Sequence, residues 1–379
     1  MKIRRCLGRD PASGRVVEVT FGETVVSVDE SDASTGLYLA PGFIDLQVNG
    51  FAGVDLNRPD VPAEEIDRAL RAALATGVTR LLPTVITASP EHIRAALRSL
   101  VRARRASPVG RAVAGFHVEG PHISGEDGPR GAHPRAWVRP PSIEEFASWM
   151  DASEGLLRVV TLAPEYPEAP RYIEAIVARG VVAAIGHTAA TRAQIADAVS
   201  ARASLSTHHC NGAHAVLRRH PNYLWEQLAE DRLMASFIAD GIHLEASFLK
   251  TAFRAKGAAR TVLVTDASSP AAASPGTYTL GEQTVELTAG GRVLLAGTER
   301  LAGSALTMNR AVANLIRLAG ASLADAVAAA TVNPARAGSI AGRAQGLVPG
   351  ERADFVLFRF DQPEGGIRVV ETWLDGDRA

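Results

Sequence analysis

Several apolar runs of this chain end in residues that can bind a metal or move a proton. Glu119 closes AVAGFHVEG (112–120), His187 closes VVAAIGH (181–187), His208 and His209 close ASLSTHH (203–209), and Asp266 stands near the end of TVLVTDA (261–267). Glu119, His187 and His208 make up two neutral imidazoles and a carboxylate, a set that holds a divalent ion and leaves one position open for water. An ion so held lowers the pKa of that water to roughly 7 in favourable sites. Asp266, an acceptor when ionised, would take the water's proton and pass it to a leaving group. Asp240 and His243 follow a further run, LMASFIADG (233–241).

The run FIDLQV (43–48) leads into Gln47-Val48-Asn49. The x-spaced pair would suit two more ligands, but amides bind transition metals poorly. Gln47 and Asn49 therefore point to a single tightly held ion and to positioning of substrate or water. Singly, a His or Asp at a strand end is more often a cap or a satisfied turn. The case lies in convergence, and nine of the ten histidines fall between His117 and His243.

Convergence needs a scaffold. The runs named above, with TRLLPTVI (79–86) and LRVVTLAP (157–164), make eight β-rich segments separated by stretches of helical length. Most are continuously apolar, as in a parallel sheet covered on both faces. The stretch SPEHIRAALRSLVRARR opens on Ser89-Pro90 with Glu91, an N-terminal helix signature. Eight βα units imply an α/β fold of the (β/α)₈ barrel type, whose chemistry sits at the carboxyl ends of its strands. A doubly wound sheet would need a glycine-rich turn after the first strand. The expected division is a β-sandwich from residues 1–40 and 342–379, and a barrel over 41–341 with a small β insert near 276–298.

With 379 residues, 46% of them hydrophobic, the chain can bury one large core. A formal charge of −1 with interspersed acids and bases argues for neither nucleic acid nor an anionic membrane. Two cysteines, Cys6 and Cys210, are too few for a disulfide framework. No apolar run suits a signal peptide or a membrane span, so a cytoplasmic protein is expected. No Lys lies between residues 3 and 249, which excludes a carboxylated-lysine bridge between two metals on the fourth strand.

PGFIDLQVNG, GFHVEGPHIS, GAHP, IGHTAAT, THHCNGA, ADGIHL, VTDA, LAGSALTMN and TVNPARAGSI follow one another along the chain. In that order they resemble the N-acetylglucosamine-6-phosphate deacetylase family of the amidohydrolase superfamily. The resemblance implies an enzyme that removes acetyl from N-acetylglucosamine 6-phosphate. It implies one divalent ion on Glu119, His187 and His208, Asp266 as base and then acid, and a Gln-x-Asn variant of the first strand. It also implies substrate contacts from His133 and His243. The sugar phosphate would be held by Asn211-Gly212 main chain and by Arg219 of a second copy, hence a homodimer. Zn²⁺ suits the ligands, and Fe²⁺, Co²⁺ or Mn²⁺ would fit too.

Two stretches depart from the family pattern. His208-His209-Cys210-Asn211-Gly212-Ala213 stands for His-Leu-Phe-Asn-Ala-Met, and Arg219-His220-Pro221-Asn222 for Arg-Glu-Pro-Gly. Both fall on the phosphate side, so another N-acetyl amino sugar or N-acyl compound, phosphorylated or not, stays open as substrate. A non-catalytic barrel scaffold would be signalled by loss of Glu119, a ligand histidine or Asp266, and all are present. The roles of His209, His214 and His220 stay open.

Overall fold

Eight parallel strands stand side by side in chain order: Phe43–Val48, Val78–Ile86, Phe116–Glu119, Leu157–Leu162, Val182–Ile185, Leu205–Ser206, Met234–Phe237 and Thr261–Leu263. A parallel bridge between Val48 and Ala267 brings the last back to the first, and Asn49 N donates to Ala267 O at 2.7 Å. The ring is the expected (β/α)₈ barrel. This computed structural model describes residues 3–361 and 366–379; residues 1–2 and 362–365, assigned above to the terminal β-segments, lie outside the described residues.

Continuous burial follows from the architecture, since a barrel strand packs inward on other strands and outward on helices. All six residues of Phe43–Val48 and all nine of Val78–Ile86 are buried. The helix Ala63–Leu74 turns Ile66, Ala69, Leu70, Ala73 and Leu74 inward, a single stripe at helical spacing. Ser89 caps the helix Pro90–Ala106, its Oγ accepting from His92 N at 3.2 Å. Truncating a stripe residue such as Leu70 to Ala would cost about 2–5 kcal/mol.

The two ends of the chain build one seven-stranded sheet. Its order is Asp377–Arg378, Gly366–Leu374, Phe355–Asp361, Tyr38–Pro41, Arg4–Arg9, Val16–Phe21 and Val25–Glu30. Its own core gathers Val19, Phe21, Leu39, Phe355 and Leu357. Phe21 meets Phe355 and Trp373 edge-on at 4.9 and 5.3 Å between centroids, a favoured aromatic geometry. A buried ionic cluster joins this sheet to the barrel. Asp354 accepts from Arg80 Nε at 2.7 Å and from Arg343 Nη1 at 2.6 Å, while Arg343 also donates to Gly42 O at 2.6 Å.

The insert is a three-stranded sheet, Gly276–Leu280, Gln283–Leu287 and Val293–Leu295. Val285, Leu287 and Val293 pack with Ile86 of the second barrel strand. Among the described residues, no helix is long and apolar enough to cross a membrane.

Candidate active site

The polar strand ends converge, and the backbone bends sharply to let them. The sixth strand is shorter than expected, Leu205–Ser206, and His208 lies beyond it. His187, His208 and Asp266 have φ of 50°, 23° and 49°, the left-handed region that non-glycine residues seldom adopt. Such strain, on the order of 1–3 kcal/mol per residue, persists where the surroundings over-determine it. Here they do. Ser236 Oγ accepts from His208 N at 2.7 Å, Ser124 N donates to His187 O at 2.9 Å, and Ser304 N donates to Asp266 O at 2.9 Å.

Glu119 is the hub. Its Oε1 accepts from His208 Nε2 at 2.7 Å and lies 3.3 Å from His187 Nε2; its Oε2 lies 3.8 Å from His133 Nε2. Gln47 Nε2 donates to Glu119 Oε1 at 2.9 Å and to Asp266 Oδ1 at 3.0 Å, and Asn49 Nδ2 donates to the same Asp266 oxygen at 2.7 Å. All seven of these side chains are buried.

This cluster suits a divalent cation. Glu119, His133 and His187 each offer an atom within 4.8 Å of the others. That grouping takes His133 where the sequence pointed to His208, yet His208 makes the shortest approach to Glu119. The donor set therefore has four members, with His187 and His208 sharing one carboxylate oxygen. His187 Nδ1 donates to Pro129 O at 2.8 Å, which turns the lone pair of Nε2 toward Glu119. Among the described residues the buried Nδ1 of His208 has no hydrogen-bond partner, nor has Oδ1 of Asn49.

Electrostatics express the same demand for positive charge. Burial works against the Glu119 charge, but His208 pulls its carboxyl well below the usual range. Burial opposes the His208 charge too, and Glu119 overrides it, raising His208 to about 9. Burial first, then the Glu119 charge, pushes Asp266 up to about 6, against the hydrogen bond from Asn49. Burial and the neighbouring His187 bring His133 down to about 3, so it stands neutral.

A cavity of about 550 Å³ opens over the cluster, lined among others by Asn49, His133, His243, Asp266, Asn211 and Gly212. Gln47 lies beneath this wall, touching Glu119 and Asp266. His243 gives Nδ1 to Asp240 Oδ2 at 2.6 Å, while Asp240 Oδ1 accepts from His243 N at 2.8 Å. Asn211 turns its Nδ2 to His208 O at 3.1 Å. Arg219 is exposed and does not line the cavity of its own chain.

Sequence reasoning missed three contributors. Thr87 sets His133 through a 2.8 Å contact between Oγ1 and Nδ1, Pro129 orients His187, and the insert with the turn after it supplies Gln283, Arg292 and Arg300 to the cavity wall. None ends an apolar run. Only the arginines in AGGRVLL and GTERLAG gave a signal, and that signal was charge inside and just after a β insert.

A closed barrel with a buried carboxylate–imidazole cluster at the carboxyl ends of its strands defines a class of hydrolase. The chain belongs to the amidohydrolase family, which matches residues 38–378, and within it to the branch of the N-acetylglucosamine-6-phosphate deacetylases. It is 34% identical over 380 residues to N-acetylglucosamine-6-phosphate deacetylase of Bos taurus, covering 96% of this chain and 89% of that one. It is also 34% identical over 357 residues to N-acetylgalactosamine-6-phosphate deacetylase of Escherichia coli O157:H7, covering 93% and 90%. Among solved structures it resembles N-acetyl-D-glucosamine-6-phosphate deacetylase of Mycobacterium smegmatis, an Asp-to-Ala mutant in complex with N-acetyl-D-glucosamine-6-phosphate. The TM-score is 0.88 at 30% identity over 99% of each chain.

Proposed function

We propose that this protein hydrolyses the acetamide of N-acetylglucosamine 6-phosphate, giving glucosamine 6-phosphate and acetate. The observation that carries the reading is Asp266, held by both first-strand amides beside the Glu119 cluster on the floor of a sugar-sized cavity.

Glu119, His187 and His208 would hold one divalent ion, Zn²⁺ first by ligand type, with Fe²⁺, Co²⁺ or Mn²⁺ accommodated. His187 and His208 address the same Glu119 oxygen, whereas His133 stands on the other side with its second nitrogen on Thr87, which favours a substrate contact for His133. When bound, the ion supplies an electrophile for the acetamide carbonyl and makes a water more acidic. Asp266 takes the proton of the attacking water and returns it to nitrogen as the C–N bond breaks. Asn49, a residue of the cavity wall, positions substrate or water, and Gln47 aims Asp266 from below. His243, braced by Asp240, reaches the sugar or its carbonyl.

On the phosphate side, Asn211-Gly212 main chain and Arg219 of a second copy would hold the C6 substituent. Residues near Arg219 expose Val216 to 88% and Trp225 to 47%, apolar surface that supports a homodimer. A phosphorylated sugar does not cross membranes unaided, which supports a cytoplasmic site of action.

The Escherichia coli relative supports a second reading, the C4 epimer N-acetylgalactosamine 6-phosphate. Acetate release from both phosphates and from unphosphorylated N-acetylglucosamine decides the matter. Faster turnover of N-acetylglucosamine 6-phosphate is expected; its failure to react while another sugar is cleaved would overturn the assignment.

A further inference from the structure

One wall of the cavity is carried by the insert and the turn that follows it, which bring Gln283, Arg292, Glu299 and Arg300 to it. This wall is anchored. Gly281 N donates to Asp55 Oδ2 at 2.8 Å, Gln283 Nε2 donates to Ala132 O at 2.8 Å, and the apolar face packs on Ile86. Among the described residues that line the cavity, Arg292 and Arg300 are the only ones with a permanent positive charge. Both leave capacity for a ligand. Arg300 spends two donors, on Gly131 O and Asp127 Oδ1, each at 2.9 Å, of the five a guanidinium carries. Among the described residues Arg292 pairs only with Glu299, at 3.6 Å, with side chains 45% and 88% exposed. Such an open pair is worth little and yields to a stronger anion.

A phosphomonoester carries close to two negative charges at neutral pH. Asn211 and Gly212 offer it no charge, and Arg219, which lies outside its own chain's cavity, reaches it only from a second copy, so any charge this chain itself supplies comes from the arginines of this wall. We propose that Arg292 and Arg300 form a same-chain clamp for the substrate's phosphate, a specificity-determining site carried by the β insert and the turn that follows it. Arg292 exchanges Glu299 for the phosphate, and Arg300 presents its remaining donors from a fixed position. Arg300 also braces the loop whose Pro129 carbonyl orients His187, so the clamp and the catalytic floor share one support.

The proposal rests on the phosphorylated-substrate reading, and its test separates the two. Metal-loaded wild type, Arg292→Ala, Arg292→Lys and Arg300→Ala are compared on N-acetylglucosamine 6-phosphate and on N-acetylglucosamine, with calorimetric binding of glucosamine 6-phosphate and thermal melting of each. The expected result for Arg292→Ala is a KM for the phosphate and a Kd for glucosamine 6-phosphate about 10- to 100-fold higher, the loss of a charge-assisted hydrogen bond. Turnover of the neutral sugar should stay unchanged, and Arg292→Lys should recover part of the loss. Folded Arg292→Ala and Arg300→Ala proteins that keep the full wild-type preference for phosphate overturn the clamp alone. A wild type with no preference for the phosphate overturns the substrate reading, and the clamp with it.

Discussion

Nδ2 of Asn49 stands 2.7 Å from Oδ1 of Asp266, across the seam where the barrel closes. Gln47 donates to the same oxygen at 3.0 Å. The two amides that make poor metal ligands thus hold the carboxylate proposed to move the proton. Their hydrogen bonds favour its charged form, against burial and the neighbouring Glu119 charge.

Removing either amide should therefore disturb the base and spare the metal. Asn49→Ala and Gln47→Ala are expected to lower kcat about 10- to 100-fold, as loss of supporting hydrogen bonds does elsewhere, with metal content unchanged by elemental analysis. Without Asn49 the Asp266 pKa rises, so the acid limb of the pH profile of kcat/KM shifts to higher pH. Asn49→Asp, which puts a second carboxylate beside Asp266, should be worse than Asn49→Ala.

Metal content and turnover should separate by residue. Glu119→Ala and His187→Ala are expected to lose both, since each removes a member of the donor set. Asp266→Asn should retain the ion and lose about 10²- to 10⁴-fold in kcat. Chelation should abolish activity, and adding back Zn²⁺, Fe²⁺, Co²⁺ or Mn²⁺ in turn ranks the metals. A fast Asp266→Asn enzyme would remove Asp266 from its role.

Gly212 sits against His187, one of the residues proposed to hold the ion. Its φ is +61°, and a Cβ there would lie 2.4 Å from His187 Nδ1, the atom that donates to Pro129 O. Gly212→Ala should push the ring off that carbonyl and weaken metal affinity about 10- to 100-fold, read by competition with a chelator. Thermal stability should fall far less than for a core truncation.

The Arg80–Asp354–Arg343 cluster predicts an acid-sensitive joint between barrel and terminal sheet. Burial would raise the Asp354 pKa, but Arg343 and Arg80 outweigh it and hold the carboxyl below its ordinary value. Arg80 also has Asp375 and is raised, whereas the wholly buried Arg343 is lowered; one carboxylate cannot fully compensate two guanidinia. Because the folded pKa is the lower one, the stabilisation is complete above about pH 4 and is lost as pH falls through the folded value. Asp354→Asn leaves two buried cations without their shared anion and should cost about 3–5 kcal/mol at neutral pH by denaturant unfolding. Its stability should also respond less to acid in that window.

Much of the fold could be read from local pattern, because a barrel is built from repeated local units. FIDLQV and TRLLPTVI read as doubly covered strands, and Ser89-Pro90 marked a helix start that the structure places at Pro90. The strand-end rule was enough to nominate Glu119, His187, His208 and Asp266, side chains that the structure brings together. It was silent about His133 and Thr87, which meet at 2.8 Å from two different loops. It was silent also about the left-handed turn at His208, since φ depends on what Ser236 and its neighbours impose. The insert was visible as β structure, but nothing in its alternation says that Arg292 and Arg300 face a cavity rather than solvent.

By itself the sequence determined which residue types end which strands, and hence what chemistry the mouth could carry, because side-chain chemistry and strand periodicity are local properties. Only the tertiary structure decided that Asn49 and Asp266, 217 residues apart, touch, and that His208 and His133 approach opposite oxygens of Glu119. Those meetings depend on closure of the ring at Val48 and Ala267 and on loops packed over it. Such contacts come from the cooperative burial of the whole chain, which no short stretch contains.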